Sequence, residues 1–192
     1  MITIIDYGNT NSNELAESLK KLSAEFVISN KEIDILKADK LILPDCEDIS
    51  SSIKKLHLLN LFSLLRIIKI PILGIGTGMH LMTRSYKNLN AACLGCFPVE
   101  CKTKETQQNI AVRELPINII KETKLLKNIG EEDKFYFAGN CFIPLTEFTT
   151  SITKITEEVS VTLEKDYLFG VQFNPEKSGE AGIKVLRNFV KM

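Results

Sequence analysis

Chemistry in a chain of this size begins with a raised nucleophile, a base beside it, or a set of metal-binding side chains. The stretch Pro71-Ile72-Leu73-Gly74-Ile75-Gly76-Thr77-Gly78-Met79-His80-Leu81 carries the spacing of the first kind. Mostly apolar residues run from Ile67 to Leu73, three glycines alternate with other residues, and a helical pattern begins at Met79. This predicts a buried strand turning sharply into a helix, with glycines where side chains would collide. In α/β folds such a turn presents a Ser or Cys between glycines two places to either side. Here Gly74 and Gly78 flank the position, and it holds Gly76. The elbow is written into the chain without its nucleophile.

The remaining reactive side chains are sparse. The cysteines are Cys46, Cys93, Cys96, Cys101 and Cys141, and the histidines are His57 and His80. An odd cysteine count without an export-type leader predicts free thiols rather than a disulfide framework. Cys93-x-x-Cys96 with Cys101 nearby is half of a zinc pattern, but no second Cys/His pair at metal spacing completes it. No metal or cofactor is therefore expected, and the cysteines read as small core residues.

Composition narrows the classes further. Lys plus Arg equal Asp plus Glu at 24 each, so bulk charge offers no attraction to nucleic acid or anionic membrane. The longest apolar stretch, Leu56 to Ile75, is interrupted by Asn60, Arg66, Lys69 and Pro71, short of the ~20 residues a membrane span needs. Met1 to Asp6 reads as a first strand rather than a signal peptide, which makes a cytoplasmic location the expectation.

The elements that must position the elbow follow in order. Strands are expected at Ile2–Asp6, Phe26–Ser29 and Ala38–Pro44. Helices are expected at Ser12–Leu22 and Lys31–Leu36, and a long one from about Ser50 to Arg66. This β-α-β-α alternation predicts a parallel sheet with helices on both faces. The second half reads as shorter strands at Phe97–Cys101, 110–113, Lys134–Phe137, Val159–Leu163 and Tyr167–Phe173, antiparallel at one side of the sheet. An amphipathic helix over Gly179–Met192 closes the chain, with Ile183, Leu186, Phe189 and Val190 on its core face. Without repeats or linkers, residues 1–192 read as a single domain.

At this point the chain resembles a family, the class I glutamine amidotransferases, and among them the glutaminase subunits of imidazole glycerol phosphate synthase. Ile5-Asp-Tyr-Gly-Asn-Thr-Asn11 is similar to the family's opening strand and turn, and Ala38–Pro44 to the strand before its oxyanion loop. Pro71–Leu81 is similar to its nucleophile elbow. Gly170-Val-Gln-Phe-Asn-Pro-Glu-Lys-Ser-Gly179, followed by Leu186-Arg-Asn-Phe189, is the most specific match. The resemblance implies a three-layer α/β sandwich of flavodoxin-like type, with a central mixed, mostly parallel sheet flanked by helices.

It also implies a chemistry. A thiolate attacks the side-chain amide of glutamine, a histidine takes its proton, a carboxylate orients that histidine, and backbone N–H groups hold the oxyanion. Carried onto this sequence, the nucleophile falls on Gly76, the base on Asn174 and the orienting acid on Glu176. Glycine has no side chain to attack with and asparagine takes no proton near neutral pH. Only Glu176 is retained.

Other positions depart in the same direction. The oxyanion loop, glycine-rich in the family, reads Pro44-Asp45-Cys46-Glu47-Asp48, where carboxylates oppose an anion. The glutamine-contacting glutamine after the elbow is His80. A Gly-Trp pair near the ammonia exit is Pro116-Ile117, with Asn118 retained. Asp45, Cys46, Glu47, Gly78, His80 and Asn118 are therefore the expected lining of an altered pocket. The implied protein is a degenerate amidotransferase subunit that keeps its fold to dock on a (β/α)₈-barrel synthase, in histidine synthesis or a sugar-amidination branch. Two alternatives stand beside it: an active amidohydrolase with a relocated Cys46–His80–Glu176 constellation, and a stand-alone binder of glutamine or another small molecule.

Overall fold

The computed structural model describes residues 1–8, 10–86, 91–103, 113–139, 141–154 and 157–192. Its first half is a β-α alternation: β1 (Ile2–Ile5), α1 (Ser12–Lys21), β2 (Phe26–Ser29), α2 (Glu32–Leu36), β3 (Lys40–Leu43), α3 (Ile49–Leu58), α4 (Leu61–Ile67), β4 (Ile72–Ile75) and α5 (Thr77–Leu81). Short strands follow: β5 (Ser85–Tyr86), β6 (Ala91–Ala92), β7 (Glu100–Thr103), β8 (Arg113–Pro116), β9 (Asn118–Ile119), β10 (Lys134–Phe137) and β11 (Cys141–Phe142). Then come β12 (Thr149–Lys154), β13 (Glu158–Lys165), β14 (Leu168–Val171), a 3₁₀ turn at Pro175–Lys177 and α6 (Gly179–Lys191).

The main sheet has eight strands in the order β2-β1-β3-β4-β14-β13-β12-β9. The five from β2 to β14 run parallel, and β13, β12 and β9 continue it antiparallel. β14 is thus a correction to the expected antiparallel set: it pairs parallel to β4, Gly170 opposite Gly74. Smaller sheets, β10-β8 and β11-β7-β5-β6, lie outside.

Apolar side chains cover the sheet on both faces. One cluster joins Ile5, Leu41 and Leu43 to Leu56, Leu65 and Met79 of α3, α4 and α5. The other joins Ile4, Ile42, Leu73 and Val171 to Leu15 and Leu19 of α1 and to Val185, Leu186 and Phe189 of α6. The two helices between β3 and β4 correct the expected single helix: Asn60 takes a left-handed conformation at φ 58°, and a break separates α3 from α4.

A second difference lies in β12, unmarked in the sequence because Thr149-Thr150-Ser151 lacks an apolar alternation. Its hydroxyls are buried and paired with β13. Thr149 Oγ1 lies 2.7 Å from Ser160 Oγ, and Thr150 and Ser151 lie 2.6 and 2.7 Å from Thr162 Oγ1. Of the expected strand 110–113, residues 110–112 lie outside the described residues, and Arg113 opens β8.

No helix among the described residues is long and apolar enough to cross a membrane.

Candidate functional site: a carboxylate over the elbow

Parallel strands leave their C-terminal ends on one edge of the sheet, and ligands in such folds collect there. The loops after β1, β3, β4 and β14 meet at that edge. Gly76 is the turn between β4 and α5, with φ 54° and ψ −118°. A residue with a Cβ in such a region is strained by about 1–3 kcal/mol. The strained elbow shape is present although no side chain is presented from it.

What stands over Gly76 is Asp45. Its Oδ1 lies 2.5 Å from where a Cβ on Gly76 would be. The same oxygen accepts the Thr77 backbone N–H at 2.9 Å and the Thr77 hydroxyl at 2.7 Å. Oδ2 accepts from the side-chain amides of Asn11 and Asn174, each at 3.2 Å. With four donors on two oxygens the carboxylate is held as an anion acceptor is normally held, and it is the chain's own.

The loop bearing Asp45 is tied down on both sides. Asn11 N–H donates to the Asp45 carbonyl at 2.9 Å, and Thr10 bridges Cys46. Cys46 N–H donates to Thr77 Oγ1 at 2.6 Å, and the buried Tyr7 hydroxyl donates to the Pro44 carbonyl. Gly78 is a packing position: a Cβ there would lie 2.1 Å from the Leu43 carbonyl oxygen, so only glycine lets α5 rest on the end of β3.

Asn174 and Glu176 complete the cluster from the loop after β14. Asn174 is buried, its N–H donates to the Tyr136 carbonyl at 3.0 Å, and its amide nitrogen bridges Asp45 and Glu176 Oε1, the latter at 3.0 Å. A neutral amide links two carboxylates here without carrying a proton of its own chemistry. Glu176 Oε2 is buried with no partner among the described residues. Burial pushes the Glu176 carboxyl up to about 6, against the pull of the Asn174 amide.

The structure thus brings together Asp45, Cys46, Gly76, Asn174 and Glu176. It separates others. Glu47 is exposed. Asn118 sits in the outer strand β9, four strands and about 19 Å from β4, beside a surface groove with Leu115 and Thr153. Of the relocated constellation, Cys46 Sγ has the Thr77 hydroxyl at 3.1 Å, His80 Nε2 has Gln172 at 3.0 Å, and Glu176 has Asn174. The three have three different partners, and burial pushes the Cys46 thiol up, away from thiolate. Thr77 and Asn11 bind Asp45 and Gln172 binds His80, and none of the three belongs to the expected lining. They lie in the elbow, the opening turn and the Gly170–Gly179 stretch, whose main-chain pattern does not mark side-chain partners.

A mixed α/β sheet, parallel from β2 to β14, with a strand–turn–helix elbow faced by an acid-bearing loop after the neighbouring parallel strand, defines an elbow-type α/β architecture. The comparisons narrow it. Residues 3–192 match the family model for glutamine amidotransferase class-I, and the chain belongs to that family. It is 31% identical over 194 residues to the imidazole glycerol phosphate synthase subunit HisH of Bacteroides thetaiotaomicron, covering all of this chain and 99% of that one. It is 33% identical over 201 residues to HisH 2 of Methanococcus maripaludis, with the same coverage. Among solved structures it is similar to a glutamine amidotransferase (TM-score 0.78, 14% identity, covering 99% of this chain and 97% of that one). A putative GMP synthase subunit from Thermoplasma acidophilum is also similar (TM-score 0.75, 16% identity, 99% and 92% covered).

Proposed function

We propose that this chain is a HisH-like amidotransferase subunit that does not hydrolyse glutamine and serves to dock on, and stabilise or regulate, a (β/α)₈-barrel synthase partner. The observation that carries the reading is the Asp45 carboxylate over Gly76. It takes the elbow N–H that an oxyanion would need, and it fills the space of the missing side chain. A substrate anion arriving there would meet a fixed negative charge. The similar proteins are subunits of imidazole glycerol phosphate synthase, which supports a heteromeric assembly and a role in histidine biosynthesis. In that assembly the barrel would take free ammonia.

The mechanism of such a subunit is positional. The elbow and its three neighbouring loops form a rigid, hydrogen-bonded edge. The Asp45–Asn174–Glu176 chain holds the loops after β3 and β14 together with groups that in a catalytic site would move protons.

The test is glutamine hydrolysis, read as glutamate or ammonia release, by the chain alone and with the barrel subunit and its substrate present. Cys46→Ser is the companion sample. Background rates in every sample, with the barrel retained on copurification, are expected. Hydrolysis that disappears in Cys46→Ser would overturn the reading in favour of a relocated nucleophile. Neither hydrolysis nor barrel binding would overturn the docking role and leave a stand-alone binder.

A further inference from the structure

Between α5 and the small outer sheet, three soft donors converge from distant parts of the chain. A ring nitrogen of His80 on α5, Sγ of Cys101 on β7 and Sγ of Cys141 on β11 all lie within 4.8 Å of one another. His80 and Cys101 are buried and Cys141 is half-buried, so the cluster is shielded from bulk water.

The imidazole is oriented as a ligand is. His80 Nε2 lies 3.0 Å from Gln172 Oε1, and the Gln172 amide nitrogen donates to the Cys141 carbonyl at 3.2 Å. That second bond turns the amide oxygen toward the ring. An amide oxygen only accepts, so Nε2 carries the proton and Nδ1 the lone pair. Nδ1 is buried with no partner among the described residues. A buried acceptor left unpaired costs about 1–3 kcal/mol. An imidazole with one N–H tied to an amide and the other nitrogen free is the outer-shell arrangement of metal-bound histidine.

The two thiols are brought together by the pairing of β11 with β7, on which Cys141 and Cys101 lie. The Tyr86 hydroxyl is bonded to Cys141 Sγ and would remain as a donor to its thiolate.

We propose that His80 Nδ1, Cys101 Sγ and Cys141 Sγ form a site for one thiophilic divalent cation of the zinc type. Two thiolates and an imidazole suit zinc, and three protein ligands leave a fourth tetrahedral position for water or an exogenous ligand. At Zn–S and Zn–N lengths of about 2.3 and 2.1 Å the donors would stand roughly 3.5–3.8 Å apart, so a cluster now lying within 4.8 Å closes by up to roughly 1.3 Å. Binding breaks two S–H bonds and forms two S–metal bonds, releasing two protons per ion, while the ring stays neutral and nothing is oxidised. The site is independent of the docking role proposed above. Sequence spacing does not reveal it, because the half-pattern at Cys93 and Cys96 contributes neither of the two thiols.

The test uses the full chain, reduced and stripped by chelator, titrated with Co²⁺ and then Zn²⁺. Expected are a thiolate-to-cobalt charge-transfer band saturating at one ion per chain, displacement by Zn²⁺, and release of two protons per zinc. Cys141→Ser, at a half-buried strand end, and Cys101→Ser are expected to abolish the band with the far-UV circular dichroism unchanged. Gln172→Leu should weaken affinity roughly 10–100-fold, and Cys96→Ser should leave the titration unaltered. Absence of the band in the folded wild-type chain, or a band that survives both Cys101→Ser and Cys141→Ser, overturns the site. So does a Cys101–Cys141 disulfide that takes up no cobalt once reduced.

Discussion

Gly76 and Asp45 occupy one volume between them, and each explains the other. A Cβ at position 76 would sit 2.5 Å from Asp45 Oδ1 and at a φ of 54°. Gly76→Ala is therefore expected to destabilise the fold by about 1–3 kcal/mol from backbone strain alone, measured by urea unfolding. Contact with the carboxylate adds a coupled part, so the cost should shrink in an Asp45→Gly background, by about 0.5–3 kcal/mol of interaction energy. Equal costs in both backgrounds would show that Asp45 does not fill that space. Glu176 offers a pH signature at the same scale. Its carboxyl titrates near 6 when folded, against 4.5 ordinarily, because burial favours the neutral acid. The folded state then holds the proton more tightly, so this contribution is full below about 4.5 and is lost as pH rises through 6. The loss amounts to about 2 kcal/mol. Glu176→Gln is expected to flatten the wild-type fall in stability over that window, read from urea midpoints at pH 4.5 and 7.

At the scale of elements, the hydroxyl-lined pairing of β12 and β13 is the least expected feature. Thr162 is wholly buried and its hydroxyl serves both Thr150 and Ser151. Thr162→Val keeps shape but leaves two buried hydroxyls short of a partner, so a loss of about 1–3 kcal/mol is expected in chemical denaturation. An unchanged midpoint would mean that the two hydroxyls satisfy each other. The break between α3 and α4 has a comparable residue-level cause. Asn tolerates the left-handed conformation at position 60 and a β-branched residue does not.

At the scale of the molecule, two apolar clusters share one sheet, each covering a face. Cooperative loss of both is expected if the two layers melt as one unit. Phe189 packs edge-on against Phe169 with ring centroids 5.9 Å apart and is fully buried. Phe189→Ala should cost about 3–5 kcal/mol. Because Tyr7 lies in the opposite cluster, its near-UV signal should move to the same lower urea midpoint as the far-UV signal. Separate midpoints would argue for two independently melting layers.

Much of this architecture was legible in the chain by itself. Apolar periodicity and turn glycines are local signals, and they marked β1 to β3 and α6 within about two residues, and the elbow itself, while the apolar run Ile67–Leu73 begins five residues before β4. The C-terminal stretch Gly170–Gly179, with its resemblance to the amidotransferases, marked the loop carrying Asn174 and Glu176. Contacts between distant segments carry no such local mark. Asp45 and Thr77 are separated by 32 residues, Asn174 and Asp45 by 129, and His80 and Gln172 by 92. Whether the carboxylates of the β3 loop face solvent or the elbow depends on where four loops converge: Asp45 turns inward while Glu47 stays exposed. The buried strand β12 likewise hides in sequence, because its hydroxyls are satisfied only by those of β13. The sequence determined β1 to β3, α1, α6, the elbow and the vacancy at Gly76. Only the tertiary structure decided that a carboxylate fills that vacancy and that two thiols and an imidazole meet beside it, since burial and hydrogen-bond partners are properties of neighbours in space.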